Sequence, residues 1–323
     1  GVIPAGFAPI STTFVSTTHG WFLGAGKCGG VACRALLVTR DAGRTFTAVS
    51  VPPTAVGQVR FANGSDGWAY GDATGGAQGL WRTDDGARHW HRVDARPVQS
   101  LAVDGPTVWV VVFTSTGSGA ELDVGSVAND RLVLVTEVAR RGGYVTAAQG
   151  SAFVDGVLGQ GPYPGGLTVV DHSGVHQRSA PPCPGGDNLG TSEFELAPVD
   201  APHLVAVCWG QPAAGTQRKS AFTSDDAGNN WTRRPDPPVD GYTGHFLEGS
   251  IAATSRATFI SGGRSAVLRK IGNGPWRAVL DDGGTGDGFI YVGMTDDLHG
   301  VALNAQGAWL TADGGDTWRK LRF

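Results

Sequence analysis

The side chains that could do chemistry in this chain are scattered carboxylates and a few aromatics rather than a compact motif. Hydrolysis of a glycosidic bond needs an acid and a base about 5 to 10 Å apart. Asp72, Glu193, Glu248 and Asp287 stand in segments where such a pair could meet, and each also reads as an ordinary solvated carboxylate. Trp209 follows Cys208 at the end of an apolar run and opens Gly210-Gln211-Pro212. An exposed indole there, beside Tyr242 and His245, could stack on a sugar ring or anchor a peptide.

Metal chemistry has less to stand on. His172 and His176 would share one face of a helix and suit a metal, but Ser173-Gly174 between them marks a turn. Cys28 with Cys33 and Cys183 with Cys208 form two local sets without a Cys-x-x-Cys. An even count and close pairing point to two disulfides and an oxidising compartment. Neither a metal nor a cofactor is expected.

What must position these residues is a repeat. An octet, Ser or Thr, then Asp two residues on, Gly two further and an aromatic at the end, occurs four times: Thr39 to Phe46, Thr83 to Trp90, Ser224 to Trp231 and Thr311 to Trp318. The Thr and Asp side chains can hold backbone amides of a tight hairpin, and Gly supplies the positive φ such a turn demands. Ala87 and His89 break the pattern in the second copy, so a looser or differently closed turn is expected there. A second element, a turn and then a strand ending in Gly, precedes two octets as Thr18 to Gly24 and Ser65 to Gly71, with an echo at Leu298 to Asn304.

This octet resembles the Asp-box, or BNR, repeat, Ser/Thr-x-Asp-x-Gly-x-Thr-Trp. The resemblance implies a β-propeller in which the box joins the third and fourth strands of a blade, away from any ligand pocket. It makes Asp41, Asp85, Asp226 and Asp313 structural. Phe61 to Gly71 followed by Thr83 to Trp90, and Thr311 to Trp318, look like the blades of photosystem II assembly factors, which implies a binding role. The sialidases of the same group imply a different one: a triad of arginines gripping a carboxylate, a Tyr nucleophile paired with Glu, and an acidic acid/base. Tyr242 with Glu248, and Arg141 with Arg264, can be drawn from the loops for those roles. The arginine of the family's N-terminal motif is missing from Gly1-Val2-Ile3-Pro4.

Spacing of these elements divides residues 1–323 into seven units near 8–52, 56–95, 98–137, 144–180, 191–236, 244–281 and 286–323, each as long as a four-stranded blade. Units three, four and six lack a good octet, with Gly272 to Trp276 a decayed copy in the sixth, and six or eight blades also fit because units three and four are framed mainly by spacing. With 51 Gly and 18 Pro, and no sustained helical periodicity, the chain is expected to be an all-β, single-domain propeller with almost no helix. A net charge of −4 and a pI near 6.1, with no Lys/Arg block, exclude a general nucleic-acid surface. No apolar run reaches the roughly 18 residues of a membrane span. The first residue is Gly, compatible with a removed signal peptide or lipid anchor, and the preference for Arg over Lys suits a GC-rich bacterial genome.

The expectation is therefore an exported, monomeric, non-catalytic binding or assembly module, extracytoplasmic, with a protein or glycan ligand over the channel mouth. Trp209, Tyr242, His245, Arg264 and Asp72 are the candidate ligand contacts. The alternative is an exo-acting glycoside hydrolase of sialidase-like type, with Glu248, Asp287 and Tyr242 as its catalytic candidates. Three arginines and a Tyr-Glu pair at the mouth would favour the enzyme; an uneven surface with exposed aromatics would favour the binder.

Overall fold

The computed structural model describes residues 2–53, 56–71, 79–114, 119–138, 143–156, 166–183, 193–209, 216–238, 240–241, 251–261, 266–283 and 288–323. They form seven four-stranded antiparallel sheets arranged as the blades of a propeller, with no helix among them. Blade 1 is Ala5–Phe14, Gly20–Cys28, Val31–Thr39 and Thr47–Val49; blade 2 is Gln58–Phe61, Gly67–Tyr70, Leu80–Thr83 and His91–Asp94. Blade 3 is Val98–Asp104, Thr107–Phe113, Ala120–Ser126 and Leu132–Val138; blade 4 is Gly143–Ala148, Ser151–Gly156, Leu167–Asp171 and Gly174–Arg178. Blade 5 is Glu193–Pro198, Leu204–Trp209, Lys219–Ser224 and Thr232–Arg234, with a two-residue ladder of Thr216–Gln217 on Asp240–Gly241 beside it. Blade 6 is Ile251–Ala253, Ala257–Ser261, Ala266–Ile271 and Arg277–Asp281; blade 7 is Phe289–Met294, Gly300–Asn304, Gly307–Thr311 and Arg319–Lys320.

Each middle strand is buried on both faces, because each blade is sandwiched between two others. Trp21 and Leu23 pack toward Val59 and Phe61 of blade 2, while Phe22 between them packs toward Val301 and Leu303 of blade 7. The alternation of a strand therefore sends apolar side chains into two different interfaces, and the run reads as continuously apolar. Trp21 and Phe61 stack with centroids 3.8 Å apart and planes within 2°.

The innermost strand of a blade has a free edge, which must find partners. Side chains of the preceding blade supply them. Ser11 Oγ accepts from Val59 N–H at 3.2 Å, Ser100 Oγ from Val145 N–H at 2.7 Å, and Gln99 Oε1 from Gly143 N–H at 2.9 Å.

All four octets lie between the third and fourth strands of blades 1, 2, 5 and 7, closed by one set of hydrogen bonds. In blade 1 Thr39 Oγ1 donates to Asp41 Oδ1 at 2.9 Å and accepts from Gly43 N–H at 2.8 Å. Asp41 Oδ1 also accepts from the Arg44 and Thr45 amides at 2.9 Å, and Thr45 Oγ1 donates to Asp41 Oδ2 at 2.6 Å. Of the two outcomes expected for the blade 2 copy, looser or differently closed, it takes the second. Ala87 adopts the left-handed conformation at φ 70, its amide reaches Thr83 Oγ1 at 3.0 Å, and His89 Nδ1 lies 2.6 Å from Asp85 Oδ2 where Thr45 stands in blade 1. Asn230 Nδ2 does the same for Asp226 at 2.6 Å, so any side-chain donor of suitable reach closes the turn.

The octet aromatics reach backward around the ring. Trp90 Nε1 donates to Ser50 O at 3.0 Å and Trp231 Nε1 to Ser179 O at 3.2 Å. Trp276, in blade 6, donates to Pro235 O at 2.9 Å. Each acceptor follows the outer strand of the preceding blade. At the junction of blades 7 and 1 the equivalent contact is apolar: Phe46 meets Phe323 at 4.7 Å, and Phe323 also meets Phe7 at 4.9 Å and Phe22 at 5.3 Å. Leu321 is buried beside them, and Arg319 donates to Ala42 O at 2.5 Å. Among the described residues the ring thus closes by packing, with no strand of one end added to the sheet of the other.

Hydrogen bonding holds the octet carboxyls low. Asp41 is depressed chiefly by the Thr45 hydroxyl and amide, Asp226 by the Asn230 side chain and amide. At Asp85 and Asp313 burial pushes upward, but bonds from His89 and Thr83 in one, Thr317 and Thr311 in the other, outweigh it; Asp313 settles at about 2. Such groups stabilise the fold fully above the unfolded value of about 3.9, and lose that contribution as pH falls through the folded value. Urea midpoints are expected to hold down to about pH 4 and to drop between about pH 4 and 2. A midpoint flat to the lower limit would contradict this.

One buried ion pair ties blade 2 to blade 3. Arg82, with a side chain only 6% exposed, reaches Asp66 and Asp130 at 2.8 Å each and Val127 O at 2.9 Å. Asp130 is half exposed, which discounts the charge contribution. Arg82→Met is expected to cost about 2 kcal/mol, seen as a lowered urea midpoint at unchanged slope.

Candidate functional site: the central channel

The first strands of the seven blades surround a central cavity of about 390 Å³. It is apolar in its framework, from Phe61, Leu101, Leu196, Ile251, Val292 and their neighbours. Into this frame single strand positions bring polar groups: Thr13, Arg60, Tyr144, Thr146, Glu195 and Tyr291, with Asp155 from a second strand. Arg60 Nη1 donates to Val59 O at 2.9 Å. Asp155, buried at 4% exposure, accepts from Tyr144 N–H at 2.7 Å. The hydroxyl of Thr146 is buried without a hydrogen-bond partner among the described residues.

This wall offers one guanidinium, two carboxyls and two phenols in a cavity whose lining is about as polar as it is apolar. Such groups can pair with the backbone and side chains of an extended chain or with the hydroxyls of a sugar. Among the described lining residues Arg60 is the single arginine, so they do not assemble a three-arginine carboxylate clamp.

The residues singled out from sequence fare unevenly. Tyr242, His245, Glu248, Arg264, Asp287, Asp72 and Arg141 lie outside the described residues. Glu193 opens the first strand of blade 5. Trp209, expected at an exposed strand end, is instead buried at 5% exposure between blades 5 and 6, against Val207, Ile251 and Ile260. Its strand keeps alternating to the last residue: Ala206 and Cys208 face Phe153 and Leu167 of blade 4, while Val207 and Trp209 face blade 6. The Lys219 ammonium lies 5.4 Å from the indole centroid, a cation–π contact rather than a ligand surface.

Both disulfides are formed, Cys28 to Cys33 and Cys183 to Cys208. His172 sits in a hairpin turn, and among the described residues no three His, Cys, Asp or Glu side chains converge on a metal-sized site. The hairpin gathers a Ser, a His and an Asp, with Ser173 Oγ 2.8 Å and Asp171 Oδ1 3.2 Å from His176 Nε2. Both oxygens address the same ring nitrogen, so the imidazole cannot relay a proton between them as a nucleophile's base must.

The channel residues were missed because each is a lone polar position inside an apolar strand. Val59-Arg60-Phe61, Phe194-Glu195-Leu196 and Ile290-Tyr291-Val292 carry the signal: one polar side chain in an innermost strand.

No family model and no curated protein matches this chain. Solved structures do, at the level of fold. "YCF48 bound to D1 peptide" aligns with a TM-score of 0.59 at 14% identity over 96% of this chain and 93% of that one. The β-propeller domain of the Trilobed protease from Pyrococcus furiosus, described as having an open velcro topology, aligns at 0.61 and 10% identity over 98% of both chains. A Mycobacterium tuberculosis puromycin-hydrolyzing peptidase aligns at 0.65 and 12% identity over 99% of this chain and 55% of that one. Identities this low carry the fold and nothing finer.

Proposed function

We propose that this chain is an exported, non-catalytic binding or assembly module of the Asp-box type, and that its ligand is an extended protein segment seated at the central channel. The observation that carries this reading is the channel wall itself, where half-buried Arg60, Tyr144, Glu195 and Tyr291 and buried Asp155 are held at fixed positions of rigid strands. Arg60, Asp155, Glu195 and the two tyrosines suit hydrogen bonding to a chain's backbone and polar side chains. That YCF48 was solved with a peptide makes a peptide-binding propeller of this shape a precedent. The four octet turns support the Asp-box assignment, and the two disulfides support an extracytoplasmic location.

The test is selection of binding peptides from a displayed random library by the whole protein, then titration by fluorescence anisotropy. Arg60→Met and Glu195→Gln are expected to weaken the channel-binding class by about tenfold each, the scale of one lost charge-assisted bond. Peptides indifferent to both substitutions would move the site away from the channel.

A further inference from the structure

Among the described residues, blade 1 has the longest strands, and they extend toward the end of the propeller opposite the octets. Its first three strands are 10, 9 and 9 residues long, whereas among the described residues no strand of another blade exceeds 7. The extra length projects as a three-stranded ribbon, paired through to Cys28 opposite Val31. Gly29 and Gly30, at φ 59 and 87, make the two-residue turn that suits a twisted hairpin. The Cys28–Cys33 disulfide spans that turn. A loop this short loses little entropy on closure, so the crosslink adds little to global stability and acts on the stiffness of the tip.

The register decides what the tip presents. Ala5 pairs with Lys27 and Lys27 with Ala32; Ala8 pairs with Ala25 and Ala25 with Arg34. Residues opposite one another, or two apart, share a face. One face of the ribbon is therefore an alanine surface, Ala5, Ala8, Ala25 and Ala32, with a bulge in the first strand between Ala5 and Ala8, flanked by Lys27 and Arg34, and all but half-buried Ala8 are exposed. The same strand face, lower down, carries Trp21 and Leu23 onto blade 2, so the alanine surface stands above that blade. Pro4 and Phe7 cover the opposite face, at Gly26 and Gly24.

Lys27 differs from the other lysines. The chain has four lysines and a net charge of −4. Lys219, Lys270 and Lys320 hold their ammonium groups 5.4, 6.0 and 4.9 Å from the ring centroids of Trp209, Trp276 and Trp309. Lys27 and Arg34 have no carboxylate or ring partner among the described residues. A stiffened, basic projection on an acidic protein, floored by side chains too small to obstruct a backbone, suits one kind of occupant.

We infer that the alanine face of the blade 1 ribbon is a docking surface for an acidic extended segment of a partner protein, its carboxylates meeting Lys27 and Arg34. This surface is separate from the channel and does not depend on what the channel holds. The stiff tip lowers the ordering cost of binding, and the paired charges set the sign of the partner.

Selection from a displayed library of random decapeptides tests it, run on the whole protein and on the Lys27→Glu/Arg34→Glu variant. Both residues are exposed, so the variant's unfolding midpoint is expected to match the parent's. The parent is expected to enrich a class of Asp- and Glu-rich peptides that binds the variant at least about tenfold more weakly and ignores Arg60→Met. Their affinity is expected to fall with added salt. Enriched pools of equal charge from parent and variant would overturn the inference. So would light scattering that showed a Lys27-dependent dimer of the chain itself, which would make a second copy the occupant.

Discussion

Gly228→Ala is expected to destabilise the fold by about 3 kcal/mol, summing about 1 to 2 for a left-handed backbone and about 1 to 3 for overpacking. The position has φ 85, and a Cβ there would lie 2.4 Å from Leu167 Cδ2 of blade 4. Leu167 is fully buried, so it has nowhere to move. The equivalent change in reverse, Ala87→Gly, isolates the two causes. Ala87 already bears the same conformation at φ 70 with a methyl that is fully buried. Relief of about 1 kcal/mol from φ is offset by the loss of about 0.8 for the methyl and by a floppier unfolded chain. Its midpoint is expected within about 0.5 kcal/mol of the parent, inside the range of ordinary surface changes. Urea unfolding at matched slope measures both, and equal effects would refute the steric part of the account.

Leu321→Ala is the second large effect, expected to cost about 3 kcal/mol by cavity formation. Leu321 is 3% exposed and its Cδ2 would lie 2.7 Å from a Cβ at Gly43, so it fills the space under the blade 1 octet. This loss falls on the seam where the ring is closed by Phe7, Phe22, Phe46 and Phe323 rather than by strand pairing. Hydrogen exchange on the variant is expected to speed first in the strands of blades 1 and 7. Uniform acceleration around the ring would mean the seam is no weaker than the other interfaces.

These two positions also show how much of the fold could be read from sequence. The octet is legible because its Asp, its hydroxyl and its glycine are chemical requirements of one turn, and four copies anchor four blades. The blades without an octet were framed by length, and they fold as blades because every interface needs a neighbour on both sides. His89 and Ala87 left a looser or a differently closed turn open, and the turn is differently closed for a specific reason. The turn asks for a donor at His89 and a tolerated φ at Ala87, not for Thr and Gly as such.

The site was far less legible. Trp209 looked like a strand end opening a loop, yet strand alternation carries it into the interface of blades 5 and 6. Arg60, Asp155 and Glu195 give no motif, because their meeting point is created by ring closure and not by spacing along the chain. The ribbon of blade 1 was visible only as a short-range cysteine pair; its length and register are needed to put Lys27 and Arg34 on one face.

Whether the propeller binds without catalysis is tested most directly by incubating the purified protein with a broad panel of fluorogenic glycosides, sialosides and β-glucosides included. Glu195→Gln, Glu248→Gln and Asp287→Asn variants run beside it. The account predicts no turnover above buffer for any substrate with any of the four proteins. Turnover by the parent that is lost in one of the variants would contradict it and identify a catalytic carboxylate.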